Sequence, residues 1–496
     1  MDYESVLSDT NCKVGLKNIL LRLANIGYFE SFICKRLELS SIIELSWRAI
    51  PIYRKEQLAI RDALSCAIDL FLLQGSVLLE ELDMLFDKQT QESLLECKVL
   101  IKNENLFLSS ISCYPVNNIL IFSDHAWPKL PHPGYKDTPY DQVMYIGLDS
   151  RWLAHATVRK DFNSALDLCT GSGIHAVLAA THTKRVVAVD INQRAAKCTE
   201  LNAFALGASN VEVFVGDLYE PLGEERFDLI TANPPFVPSP VDSLGYRDGG
   251  RDGESVQSRI FEGLPRHLAH DGIAQIVTEI GERDGESLVD RLRKWLNHAP
   301  MNILVLRLQV KSAANYASSH ANTDDTYETY LNEIDEWASN LREHGYKQVS
   351  TVLIAIKWSD KNLGEAWGRI EDVDAPTMSI GSAIENIFET ENLIRRPDLF
   401  EILKSEKLCL SGKIALLEAM ELGGSKIDSK AQVKLLGAPL AIAKWVDRDE
   451  LDILLALKEP MMLEGLANKL PINEKILFDK ISLLIKSGFV RLLKES

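Results

Sequence analysis

Between Ser164 and Ala176 the chain reads Ser-Ala-Leu-Asp-Leu-Cys-Thr-Gly-Ser-Gly-Ile-His-Ala. A short apolar run closing on an acidic residue, then Gly-x-Gly, then a helix-forming stretch describes a strand, a tight turn and a helix. The two glycines, Gly171 and Gly173, let the backbone come close to a nucleotide-like ligand. The pattern continues downstream. A second apolar run ends at Asp190, 17 residues after Gly173 and followed by Ile191 and Asn192. A third ends in Gly216-Asp217-Leu218. An acidic residue at the second position can accept from both ribose hydroxyls, and one at the third from an adenine amino group. A nicotinamide-binding chain is the rival reading, because Gly171–Ala176 also fits Gly-x-Gly-x-x-Ala.

The fourth run separates the two. It reads Phe227-Asp-Leu-Ile-Thr-Ala232 and leads into Asn233-Pro234-Pro235-Phe236. Two successive prolines fix the backbone and have no N–H to offer. The side-chain oxygen of Asn233 and the carbonyl of Pro234 can then face one pocket, a pair of acceptors suited to a planar NH₂ group. Phe236 can stack on its flat face. Hydrogen bonds accepted from an amide or aromatic amine push electron density onto its nitrogen, which favours attack on an activated methyl group. Hydride transfer has no use for such a corner.

These residues resemble the class I S-adenosylmethionine-dependent methyltransferases that carry an Asn-Pro-Pro-aromatic signature, among them adenine and guanine amine methyltransferases and the release-factor glutamine methyltransferases. Gly249-Gly-Arg-Asp-Gly253 and Thr278-Glu-Ile-Gly281, with Gly285-Glu286, resemble further segments of the glutamine enzymes. The resemblance covers residues 140 to 300. A bacterial group of similar length, with a helical N-terminal domain and a Tyr-Arg-Asp-Gly-Gly motif (here Tyr246–Gly250), is closer still. The resemblance implies that S-adenosylmethionine is held by Asp167, Cys169, Thr170, Gly171, Gly173, Asp190, Ile191, Asn192, Asp217, Leu218 and Asn233. The catalytic corner is then Asn233, Pro234, Pro235 and Phe236. Tyr145, in the segment Tyr145–Trp152, and Arg247 and Asp248 are candidates for the acceptor. Cys169 stands where the family has its first loop glycine, and Phe236 where the glutamine enzymes usually have tyrosine.

Around this core the chain reads as three blocks. Residues 1–124 are helical and winged-helix-like, with periodic segments Leu16–Ile26, Gln57–Leu73, Leu78–Leu85 and Glu92–Leu100, a hairpin over Ile101–Leu108 and a strand at Ile119–Phe122. Residues 125–375, beginning with the proline-rich passage His125–Pro139, form the methyltransferase domain. Its strands are Ser164–Leu168, Arg185–Asp190, Val211–Val215, Phe227–Ala232, Gly272–Ile280, Asn302–Gln309 and Val349–Trp358. That is a Rossmann-like seven-stranded α/β sheet, mostly parallel, with the last two strands as an antiparallel edge. Residues 376–496 are helical and end in a second winged-helix-like module, Asp449–Leu457, Met462–Leu470 and Asn473–Ser487 followed by the strand Phe489–Leu493.

Charge and cysteine usage narrow the partners. The chain of 496 residues has a formal charge of −17, which argues against nucleic acid, since binding there rests on neutralised phosphates. The C-terminal module, with eight basic and nine acidic residues over Asp447–Ser496, has no basic face either. A peptide or small molecule is the expected acceptor, an RNA base the alternative, and a non-catalytic binding module the third reading. The terminal domains are expected to dock substrate or a second copy of the chain. Eight scattered cysteines without CxxC spacing predict no zinc site and point to reduced, buried thiols. No apolar run is long enough for a membrane helix and no leader pattern is visible, so a cytoplasmic protein is expected.

Overall fold

A computed structural model describes residues 2–116, 118–125, 141–241, 245–321, 326–420, 429–436, 440 and 443–493. Apart from His125, the proline-rich passage lies outside them. So do residues 322–325. The chain divides into two compact units, one of residues 1–154, 160–299 and 309–354, the other of 155–159, 300–308 and 355–496.

The first unit holds a run of five parallel strands. Val186–Val189 are all buried, the continuous apolar run expected of a strand covered on both faces. The Thr183–Asp190 strand pairs in parallel with Phe162–Leu168 on one side and Val211–Val215 on the other. Phe162–Leu168 pairs in turn with Phe227–Ala232, and that with Leu268–Glu282, again in parallel. Gln348–Trp358 lies beside Leu268–Glu282. Because every parallel neighbour returns through a helix, the ends of the first four strands open on the same edge. The helix Gln193–Leu206 shows how locally the sequence sets these turns. Asn192 caps it by accepting from the Arg194 N–H at 2.9 Å, and Gly207 closes it at φ 71°.

The N-terminal helices share one core with this sheet's helix layer. Thr10–Asn25 buries Leu16, Ile19, Leu20 and Leu23, spacing that lays four side chains on one face. They belong to an apolar cluster that also takes in Ile174, Val177, Cys198 and Leu201. The hairpin lies at Leu100–Asn103 and Leu106–Ser109, with Asn103 opposite Leu106. Helices at Tyr3–Ser8, Glu30–Leu37 and Ile50–Lys55 are additional to the periodic segments. Cys12 and Cys97, 85 residues apart, form a disulfide, which corrects the reading of scattered separate thiols; the other six cysteines are free.

In the second unit the Met301–Ser312 strand pairs in parallel with Gly368–Asp372, from Ile303 opposite Gly368 to Arg307 opposite Asp372. Gly368–Asp372 is a strand beyond the seven predicted, and by pairing along Met301–Ser312 it leaves that strand no free side for the expected edge. The helices Arg448–Ala456, Leu463–Lys469 and Glu474–Lys486 are present, with Asn473 capping the third. Between the helices lie strands that periodicity did not give. Lys413–Met420 pairs antiparallel with Ser429–Leu436, and Lys407–Leu410 with Val490–Leu493. Lys-Ile-Ala-Leu-Leu-Glu-Ala-Met is rich in helix formers, so pairing overrides local preference there. Among the described residues no helix is long and apolar enough to cross a membrane.

Candidate active site

The turn after Phe162–Leu168 is shaped from behind by a buried carboxylate. Asp167, 1% exposed, accepts from the Thr231 hydroxyl at 2.8 Å, the Thr170 hydroxyl at 2.6 Å and the Ala176 N–H at 3.2 Å. Burial pushes its acid up to about 7 against those hydrogen bonds. Cys169, Gly171 and Gly173 all have positive φ, at 54°, 57° and 80°. The first loop position is thus left-handed, which explains why glycine is usual there. Cys169 carries a strain of about 1–2 kcal/mol in its place. At Gly173 a Cβ would come within 2.7 Å of the Thr199 methyl and 3.0 Å of its Cα. The loop and the Gln193–Leu206 helix are therefore in close contact, and Thr199 donates to the Gly171 carbonyl at 3.1 Å.

Asp190, half-buried, accepts from the Gly171 N–H at 2.8 Å and the Asn192 N–H at 2.9 Å, one on each oxygen. A carboxylate has about four acceptor directions, so two remain. Burial raises this acid as well. Beside it Ile191 is 70% exposed, an apolar side chain standing free at the strand end. Asp217 accepts from Arg259 at 2.8 Å through Oδ2 alone, which leaves Oδ1 without a protein donor among the described residues. Leu218, buried, sits at φ 53°.

Across the sheet edge Asn233 is held by two residues of one helix start. Its Nδ2 donates to Asp149 Oδ2 at 3.0 Å and to Ser150 Oγ at 3.1 Å. Among the described residues no donor reaches its Oδ1. Asp149 is buried, and that burial raises its acid while the Asn233 bond lowers it. The loop after the corner packs onto it rather than standing in solvent. Phe236 and Val237 both donate to the Arg247 carbonyl, at 3.1 and 3.0 Å. A Cβ on Gly249 would lie 2.9 Å from both the Phe236 Cα and the Pro235 carbonyl. Glu254, two residues past Asp252, accepts from Arg291, Arg283 and the Tyr346 hydroxyl.

These groups surround a cavity of about 1110 Å³, at or above the roughly 300–1,000 Å³ of ordinary small-ligand clefts. Of the residues singled out from sequence, Cys169, Thr170, Gly171, Asp190, Ile191, Asn192, Asp217, Leu218, Asn233, Pro235, Tyr145 and Asp248 border it. Asp167, Gly173, Pro234, Phe236 and Arg247 do not. Asp167 and Gly173 shape the turn from beneath. Phe236 packs against the cluster of Val237, Tyr316 and Trp337. The Arg247 guanidinium lies 5.8 Å from the Trp337 ring and bonds Asp248 at 2.7 Å. Ser150 falls inside the candidate segment Tyr145–Trp152 without a role of its own from sequence, and sequence reasoning missed the N-terminal wall. Asp2, Tyr3 and Glu4 border the cavity, with Tyr3 donating to Asp124 at 3.0 Å and Asp124 accepting from Arg194 at 2.6 Å.

The model of the family "Methyltransferase small domain" matches residues 146–295. A protein named as a protein N5-glutamine methyltransferase from Methanocaldococcus jannaschii is 34% identical over 151 residues, covering 29% of this chain and 76% of that protein. The chain belongs to the class I methyltransferases. Two further methyltransferase relatives extend the comparison. A ribosomal protein uL3 glutamine methyltransferase of Bradyrhizobium diazoefficiens is 42% identical over 139 residues, 25% of this chain and 42% of that protein. A release factor glutamine methyltransferase of Thermodesulfovibrio yellowstonii is 30% identical over 142 residues, 25% and 49% of the two chains. This methyltransferase spans under half the length of those two relatives.

Proposed function

We propose that this methyltransferase uses S-adenosylmethionine to methylate the side-chain amide nitrogen of a glutamine in a protein or peptide. One observation carries the reading: the Asn233 amide is fixed by Asp149 and Ser150 on its nitrogen side, so its oxygen is the free end on the cavity wall.

The residues present fit the donor. Gly171 is left-handed, and a Cβ there would meet only the Cys169 carbonyl, at 4.0 Å, so the loop is open where a ligand must approach. Asp190 keeps two acceptor directions for ribose hydroxyls, Asp217 keeps Oδ1 for an amino group, and Ile191 offers an apolar face to a flat ring. Cys169, Thr170, Asn192 and Leu218 complete this side of the cavity. When bound, the donor supplies an activated methyl group on a sulfonium sulfur. Asn233 Oδ1 accepts an N–H of the acceptor amide and raises electron density on that nitrogen. A carboxamide anchored at its nitrogen cannot turn to offer an N–H instead. Pro235, beside it on the wall, cannot compete as a donor. Tyr145 and Asp248 border the same space and are proposed acceptor contacts. The terminal regions are proposed to dock the protein substrate.

The relatives' names support an amide acceptor over an aromatic amine, and the charge of −17 supports a peptide over RNA. The test is incubation of the full chain with labelled S-adenosylmethionine and a short peptide holding one internal glutamine. The expected product is that peptide heavier by one methylene, the gain mapping to the glutamine side chain. Label entering an RNA transcript while the peptide stays unchanged overturns the proposal.

A further inference from the structure

We infer that Asp149 is a positioning residue for methyl transfer, which sets the orientation of the Asn233 carboxamide without itself meeting substrate. This rests on the role given to Asn233 above.

An asparagine amide is symmetric in shape, and only its hydrogen-bond partners decide which end faces which way. On the cavity wall that choice is chemical: oxygen outward accepts from an acceptor amide, whereas nitrogen outward repels its N–H bonds. Ser150 cannot make the choice alone, because a hydroxyl donates as readily as it accepts. Asp149 can, because a carboxylate only accepts. Its Oδ2 lies 3.0 Å from Asn233 Nδ2. The surrounding chain is cut to admit it. A Cβ on Gly147 would lie 2.5 Å from Asp149 Oδ1, so the turn before the helix is open only as far as this carboxylate needs. Asp149 is not on the cavity wall, while Ser150 and Asn233 are. The arrangement is a lock reached from behind.

Asp149→Asn keeps the shape and removes the instruction. A carboxamide can present either its oxygen or its NH₂ to Asn233, so nothing at that position fixes the Asn233 nitrogen inward any longer. Ser150→Ala, removing one of two acceptors, is the milder companion. The first readout needs no acceptor: the Asn233 side-chain amide pair in asparagine-selectively ¹⁵N-labelled full chain, assigned by its loss in Asn233→Ala. The expected result is a shifted pair with hydrogen exchange at least about tenfold faster in Asp149→Asn and an intermediate effect in Ser150→Ala. Affinity for S-adenosylhomocysteine by calorimetry stays within about threefold. With the glutamine peptide, kcat falls by about 10²–10³, the range for losing one oriented polar group in an active site, and KM stays within about threefold. Added to Asn233→Ala, the Asp149 change costs less than about twofold, since both act through one amide. An unchanged amide pair in Asp149→Asn, or losses that multiply in the double variant, overturns the inference. A peptide left unmethylated by the parent chain defeats the glutamine reading instead, and the amide pair then decides the role of Asp149 by itself.

Discussion

Replacing Asp167 by Asn removes a buried charge while leaving its bonds satisfiable. Asp167 accepts three hydrogen bonds, two on Oδ2 from Thr170 and Ala176 and one on Oδ1 from Thr231. An asparagine with its oxygen in the Oδ2 position keeps the first two. Its NH₂ then donates to the Thr231 hydroxyl, which rotates to accept. What changes is the titration. Burial raises Asp167 to about 7 in the folded chain, against an ordinary value of about 3.9 in the unfolded one. Between those values the folded state binds the extra proton, so stability contributed by this group falls as pH rises from 4 to 7 and is lost fully above 7. Worked between pH 5 and pH 8, the loss is on the order of 3 kcal/mol for the parent and absent from Asp167→Asn. Urea midpoints of both proteins, taken at half-unit pH steps, should therefore diverge steadily, the variant gaining on the parent toward alkaline pH. Parallel curves would refute the account of a protonatable group beneath the loop.

Gly173→Ala should lower stability by about 2–5 kcal/mol, summing left-handed strain with a Cβ pressed on Thr199, and a melting scan checks it. Asp190→Ala should weaken S-adenosylhomocysteine binding by about 10–100-fold in calorimetry, the loss of a charge-assisted bond, with the fold intact by circular dichroism. Arg291→Met strips the buried partner from Glu254 and Glu286 and should cost about 3–5 kcal/mol in denaturant unfolding; a neutral result would show that Arg283 and Lys294 suffice.

The side of the cavity proposed to take the donor was legible because it is local. Gly171 and Gly173 follow one strand, and Asp190, Asp217 and Asn233 stand at the ends of three others, so chain order alone brings them to one sheet edge. The loop's left-handed first position was visible only as an oddity, Cys169 in place of glycine, until its φ gave the reason. Asp149 lay beyond sequence reasoning because its partner is 84 residues away. Its neighbourhood, Tyr145–Trp152, was noticed, but nothing local tells that Asp149 faces Asn233. Phe236 misled for the opposite reason. Position in the motif suggested stacking on substrate, while Tyr316 and Trp337, far along the chain, offer it a packing site. The strands Lys413–Met420 and Ser429–Leu436 were hidden by helix-favouring residues whose pairing is a tertiary matter.

The most direct test compares the parent chain with Asn233→Ala in two measurements on the same preparations, S-adenosylhomocysteine affinity and methyl transfer to the glutamine peptide. The account predicts affinity within about tenfold in the two proteins and transfer reduced by two orders of magnitude or more in the variant. Undiminished transfer by Asn233→Ala, or a parent that binds no S-adenosylhomocysteine, would contradict it.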